Sequence, residues 1–128
     1  MISSATVEYQ GSCHCGAVQF RVKAAPIDRA MRCNCSICRR KNAIMSAVYY
    51  KPDDFELLCG SDALTVYRFP PHEVNHHFCR HCGVYPFHNA VNDPELGYRI
   101  NLCCVDDIDP HALPIRVFDG RDSWAYLD

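Results

Sequence analysis

Apolar and polar residues alternate in short runs along most of this chain, and each run ends at turn-forming residues. Over residues 17–22 the apolar side chains Val18, Phe20 and Val22 fall on one face, the period of a half-buried strand. Residues 46–50, 55–58 and 64–69 are β-rich runs bounded by Lys51-Pro52-Asp53-Asp54, Cys59-Gly60-Ser61-Asp62 and Pro70-Pro71. Residues 74–78, 84–88, 98–103 and 115–118 complete a set of about eight strands. Helix is expected only as a turn or two over residues 36–42 and a short turn over 106–112. Strands at roughly ten-residue spacing with so little helix predict an antiparallel all-β domain.

Composition narrows the setting. The chain has 128 residues, 48% of them hydrophobic, enough for one domain over 1–128 with a core of its own. A formal charge of −2 and the lack of a basic run argue against nucleic acid and anionic membrane as partners, since both need a positive field. No apolar run approaches the ~20 residues of a membrane-spanning helix. Residues 1–10 have neither a basic start nor an apolar stretch, so no secretory signal is expected. That places the chain in the cytoplasm, where thiols stay reduced. Ten cysteines then point to metal more than to disulfides.

Seven of the ten cysteines fall into three clusters: Cys13-His14-Cys15-Gly16, Cys33-Asn34-Cys35-Ser36-Ile37-Cys38 and Cys79-Arg80-His81-Cys82-Gly83. Cys79 and Cys82, entered and left by strands and followed by a glycine, read as a zinc knuckle. A knuckle supplies two ligands and needs a second pair, for which Cys13 and Cys15 are the obvious choice. Four sulfurs complete the tetrahedron of a structural zinc. The remaining three, Cys33, Cys35 and Cys38, leave one position open, as a catalytic zinc requires. Buried free thiols, or a redox Cys-x-x-Cys in the middle cluster, are the competing readings. The redox motif lacks its usual βαβ context.

Other residues are weaker candidates. Arg32, Arg39, Arg40 and Lys41 surround the middle cluster and favour thiolate. Arg39 and Arg40 also suit a substrate carboxylate. Cys59, Cys103 and Cys104 read as core or surface thiols, any of which would close the middle site if it reached it. His14 and His81 are read as spacers. His76 and His77 point to opposite faces of a strand and cannot share a metal. His88 is the one candidate base, although a half-exposed position on the sheet is the simpler reading. Phe69, Phe78, Tyr85 and Phe87 are read as core.

Three longer motifs carry a resemblance. They are Gly11-Ser12-Cys13-His14-Cys15-Gly16-Ala17-Val18-Gln19-Phe20, then Cys33-Asn34-Cys35-Ser36-Ile37-Cys38-Arg39-Arg40, then Phe78-Cys79-Arg80-His81-Cys82-Gly83-Val84-Tyr85. In this order, over about residues 11–114, the chain resembles the glutathione-dependent formaldehyde-activating enzyme family, which includes centromere protein V. The resemblance implies a compact fold of small sheets, a β-tent. It implies two zinc ions per chain, a structural one on Cys13, Cys15, Cys79 and Cys82 and a catalytic one on Cys33, Cys35 and Cys38. It implies a carbon–sulfur lyase that joins formaldehyde and glutathione into S-hydroxymethylglutathione and reverses the step. Its partners would be a glutathione-like thiol and an aldehyde. The chain departs from the family's usual text at Leu102-Cys103-Cys104-Val105-Asp106, where a Gly-Thr-Leu-Asp type segment is common, and at Val84, where threonine is. A zinc-stabilised binding module without catalysis is the alternative.

Overall fold

A computed structural model describes residues 6–128, and among them ten strands form three small sheets. In the first, β1 (Val7–Ser12), β2 (Gln19–Ala24) and β5 (Phe55–Cys59) pair antiparallel in the order β1-β2-β5. The second sets β3 (Ala30–Cys33) between β4 (Met45–Ser46), its antiparallel neighbour, and β10 (Ile115–Phe118), its parallel one. The third runs β6 (Leu64–Tyr67), β7 (Val74–Cys79), β8 (Phe87–Ala90) and β9 (Tyr98–Ile100), all antiparallel. The nearly all-β character read from the sequence is found, and among the described strands the parallel β3–β10 pair is the one exception to antiparallel pairing.

The departures from the expected elements have local causes. The run over 84–88 becomes strand only from Phe87, because the Cys79 amide donates to the Val84 carbonyl to close the knuckle and Pro86 has no N–H for a ladder. The run over 98–103 stops at Ile100. Asn101 then caps a single 3₁₀ turn, Leu102–Cys104, its side chain accepting from the Cys103 amide. β1 is too polar, and β3 too short, to signal itself by alternation. Helix α1 (Ser36–Lys41) ends where Asn42 turns left-handed at φ 51°. Of the turn expected over 106–112, only Pro110–Ala112 is helical.

Two clusters hold the sheets together. In the larger, Val18, Phe20, Val22, Ile100 and Leu102 have no exposed surface, and Phe87 keeps 2%. Phe20 stacks on Phe55 and meets Phe87 edge-on, both at 5.8 Å, and Phe55 stacks on Tyr98 at 4.1 Å. These rings join the first sheet to the third. The smaller cluster, Met31, Ala43 and Met45, packs with Cys33, Tyr85, Phe118 and Tyr126. It therefore supports the middle cysteine segment.

Candidate active site

Cys13 and Cys15 lie in the loop between β1 and β2, while Cys79 ends β7 and Cys82 lies in the turn after it. The two turns are built alike. The Cys13 amide donates to the Val18 carbonyl and the Gly16 amide to the Cys13 carbonyl, just as Cys79 donates to Val84 and Gly83 to Cys79. Gly16 and Gly83 sit at φ 82° and 77°, and nothing lies within 4 Å of where a Cβ would be. The glycines are therefore required by the turn and not by crowding. The Val18 amide donates to the Cys13 sulfur at 3.3 Å and the His81 amide to the Cys79 sulfur at 3.4 Å.

These turns bring four sulfurs within 4.8 Å of one another, with Cys13–Cys15 at 3.6 Å and Cys15–Cys79 at 3.7 Å. Sulfurs bound tetrahedrally to zinc sit about 3.8 Å apart, given a Zn–S bond of about 2.3 Å. None of the ten cysteines is joined in a disulfide. The four-sulfur set thus has the spacing and donor chemistry of a thiophilic metal site.

Cys33, Cys35 and Cys38 also converge, their sulfurs within 4.8 Å of one another, at the end of β3 and the start of α1. Among the described residues no fourth cysteine, histidine or carboxylate joins them. Cys59 and Cys103 are exposed, and the buried Cys104 directs its thiol at the Tyr85 carbonyl. The hydrogen bond with Cys38 holds the Cys33 thiol down at about 5, and the amides of Cys35 and Gly120 add to it. Cys38 is pushed up by the same bond and by burial. Only a cation among the three allows all of them to ionise together, so the donor set fits a divalent metal.

The trio opens onto a cavity of about 460 Å³, lined in addition by Tyr49, His76 and His88. Lys41 and Arg99 line it too, and the Lys41 ammonium sits 3.6 Å above the Tyr85 ring without a hydrogen-bond partner. Burial lowers Lys41 to about 8, against the opposing pull of Cys38, Cys35 and Cys33. The positive charge beside the sulfurs thus comes from Lys41. Arg39 and Arg40 are exposed, do not line the cavity, and Arg40 donates to the Ser36 carbonyl.

The histidines depart most from their sequence reading. His76 and His77 do face opposite ways, His77 toward Asn89 at 2.7 Å. His88 is buried at 7% exposure, beside His76, its directly opposed partner in the β7–β8 ladder. Tyr85, read as core, bridges the two imidazoles: its hydroxyl lies 2.6 Å from His76 Nδ1 and 2.9 Å from His88 Nδ1. His88 Nε2 lies 3.2 Å from the Tyr49 hydroxyl. Burial lowers His76 to about 4 and His88 well below its usual value, and raises both tyrosines. These four groups are neutral near pH 7. Tyr49 carried no signal in the sequence. Its place follows from the bridge between Tyr50 and Tyr98, which pins its segment to β9.

Comparison with known proteins gives the family. The family described as glutathione-dependent formaldehyde-activating enzyme matches residues 8–119. A Halomonas elongata protein, provisionally named a glutathione-dependent formaldehyde-activating enzyme, is 31% identical over 114 residues, covering 73% of each chain. A crystal structure of a Rhodobacter sphaeroides protein superposes with a TM-score of 0.71 at 34% identity, over 83% of this chain and 98% of that one. With this match spanning most of its length, the chain belongs to the glutathione-dependent formaldehyde-activating enzyme family.

Proposed function

We propose that this protein is a zinc-dependent carbon–sulfur lyase that adds a glutathione-like thiol to an aldehyde such as formaldehyde, and catalyses the reverse. The observation that carries this reading is the three-sulfur cluster facing a cavity of about 460 Å³ with no fourth ligand from the described residues. Cys33, Cys35 and Cys38 would hold one zinc, and Cys13, Cys15, Cys79 and Cys82 a second, structural one. Bound at the three-sulfur site, zinc supplies Lewis acidity to the aldehyde oxygen or keeps the thiol ionised at neutral pH. Three thiolates leave a divalent ion with a net charge of −1, and Lys41 offsets it. Met31, Met45 and Phe118 make part of the cavity wall apolar.

Two measurements test the reading. Wild type should carry about two zinc per chain and Cys35→Ser about one, with the fold retained. A Cys35→Ser variant that unfolds outright makes the middle site structural and argues against an accessible ion. In the second, NMR exchange between free and hydroxymethylated glutathione should quicken with the wild-type protein. Equal rates with and without it remove the lyase assignment and leave a zinc-stabilised binding module.

A further inference from the structure

We infer that Tyr49, His88, Tyr85 and His76 form a proton wire that serves the oxygen of the aldehyde adduct, with Tyr49 as the catalytic residue that touches it. This inference rests on the lyase reading above. Its basis is geometric. Four groups able both to give and to take a proton lie in series, with separations of 3.2, 2.9 and 2.6 Å from Tyr49 to His76. The two imidazoles are 7% and 5% exposed, so water does not break the series. Tyr49 and His76, its two ends, both line the cavity shared with Cys33, Cys35 and Cys38.

Counting protons shows that the series has two neutral arrangements. In one, His76 Nδ1–H donates to the Tyr85 oxygen, Tyr85 O–H to His88 Nδ1, and His88 Nε2–H to the Tyr49 oxygen. The Tyr49 proton is then free to point into the cavity. In the other every bond is reversed, and Tyr49 donates to His88. No member is charged in either arrangement, which agrees with burial disfavouring imidazolium and phenolate alike. Such a chain passes protons and does not store them.

Addition needs one such passage. The thiol releases its proton to water, and the sulfur attacks the carbonyl carbon. The C–S bond forms, the C=O π bond breaks, and its electron pair moves to oxygen. Tyr49 gives its proton to that oxygen and takes the one on His88 Nε2. His88 Nδ1 takes the Tyr85 proton, Tyr85 takes the one on His76 Nδ1, and His76 Nε2 takes one from cavity water. One proton leaves at Tyr49 and one enters at His76. Cleavage runs the same transfers backwards. After product departure, water gives a proton at Tyr49, the three transfers reverse, and His76 Nε2 returns one to cavity water, which restores the first arrangement. The Lys41 ammonium above the Tyr85 ring steadies the middle of the wire as its proton moves.

The exchange assay between free and hydroxymethylated glutathione tests this, run on zinc-loaded protein with metal content measured for each variant. Tyr49→Phe should lose about 100-fold in rate, the usual weight of a positioned acid–base group, at wild-type zinc content. His88→Gln keeps hydrogen-bonding atoms for both tyrosines but cannot relay a proton, so it should fall by a similar factor. A merely structural histidine would be rescued by that glutamine. In wild type, the rate plotted against deuterium fraction should bow downward, as several protons moving together require. Wild-type rates in Tyr49→Phe or in His88→Gln overturn the wire and leave the lyase standing, and a straight or flat deuterium plot does the same. No acceleration by wild type removes both.

Discussion

Gly120→Ala perturbs the three-sulfur site without touching a ligand. β10 ends at Phe118, and the chain then folds back so that Gly120 lies against Cys33. A Cβ there would sit 2.6 Å from the Cys33 sulfur, and ordinary contact begins at 3.4 Å, so the sulfur must retreat by about 0.8 Å. The alanine methyl has little room to move instead, since it would already touch Cys35 Cβ at 3.4 Å and Phe118 Cδ2 at 3.6 Å. Metal–sulfur bonds tolerate deviations of about 0.2 Å. The retreat therefore exceeds what the site can absorb without rearranging. Changes that misplace a ligand without removing it cost on the order of 10–100-fold in metal affinity, and about 100-fold is expected here. The four-sulfur site shares no residue with this region, so its affinity should not change. Zinc titration against a chromogenic chelator resolves the two sites. The expected result is one site at wild-type affinity and one weakened, with global stability nearly unchanged. Two sites at wild-type affinity would refute the close packing of Gly120 on Cys33, and with it the geometry assigned to the trio.

Two further predictions concern the fold. Phe20→Ala should lower stability by about 3–5 kcal/mol in denaturant titration, because Phe20 is fully buried and joins Phe55 to Phe87; a loss below about 1 kcal/mol would show that the aromatic cluster does not tie the sheets. Asp119 accepts from Asn34, from Ser123 twice and from the Asp122 amide, and these bonds, led by Asn34, depress its carboxyl to about 2. Its stabilisation is complete above its ordinary value of about 4 and fades as pH falls through about 2. Wild type should therefore exceed Asp119→Asn in stability at pH 7, with the gap closing toward pH 2; a gap of constant size across that range would contradict this assignment.

Much of the site was legible because cysteine spacing is a covalent constraint. Cys79-x-x-Cys82-Gly83 can turn in few ways, and the sequence shows both its cysteines and the strand that enters it. The strand pattern was legible where one face is buried, as at Phe20 and Val22. It failed at β3, where four residues offer no period, and at 84–86, where a proline and the knuckle occupy the backbone. The histidine pair was harder to see, because it depends on register. His76↔His88 and His77↔Phe87 are opposed because the knuckle is also the loop of the β7–β8 hairpin. A reader who treats the knuckle only as a metal turn misses that it aligns two histidines on one face. Lys41 was legible as one of four cations around the middle cluster, but not as the one among them that lines the cavity, and Tyr49 reaches it through tertiary packing that nothing local marks.

The two sulfur clusters carry the same donors and differ in what surrounds them. The four-sulfur set is complete, built from two matching turns whose amides point at the sulfurs. The trio has buried imidazoles on the wall of its cavity, and a neutral imidazole is a good fourth ligand. Both nitrogens of His88, however, are engaged by tyrosine hydroxyls, and Nδ1 of His76 by the same Tyr85. His88 has no free lone pair to offer an ion at the sulfurs unless the network breaks. An isolated histidine in that wall would be free to close the site. Held between Tyr49 and Tyr85 it is not, so the hydrogen bonds of the proposed proton wire would also leave the fourth position of the proposed zinc open.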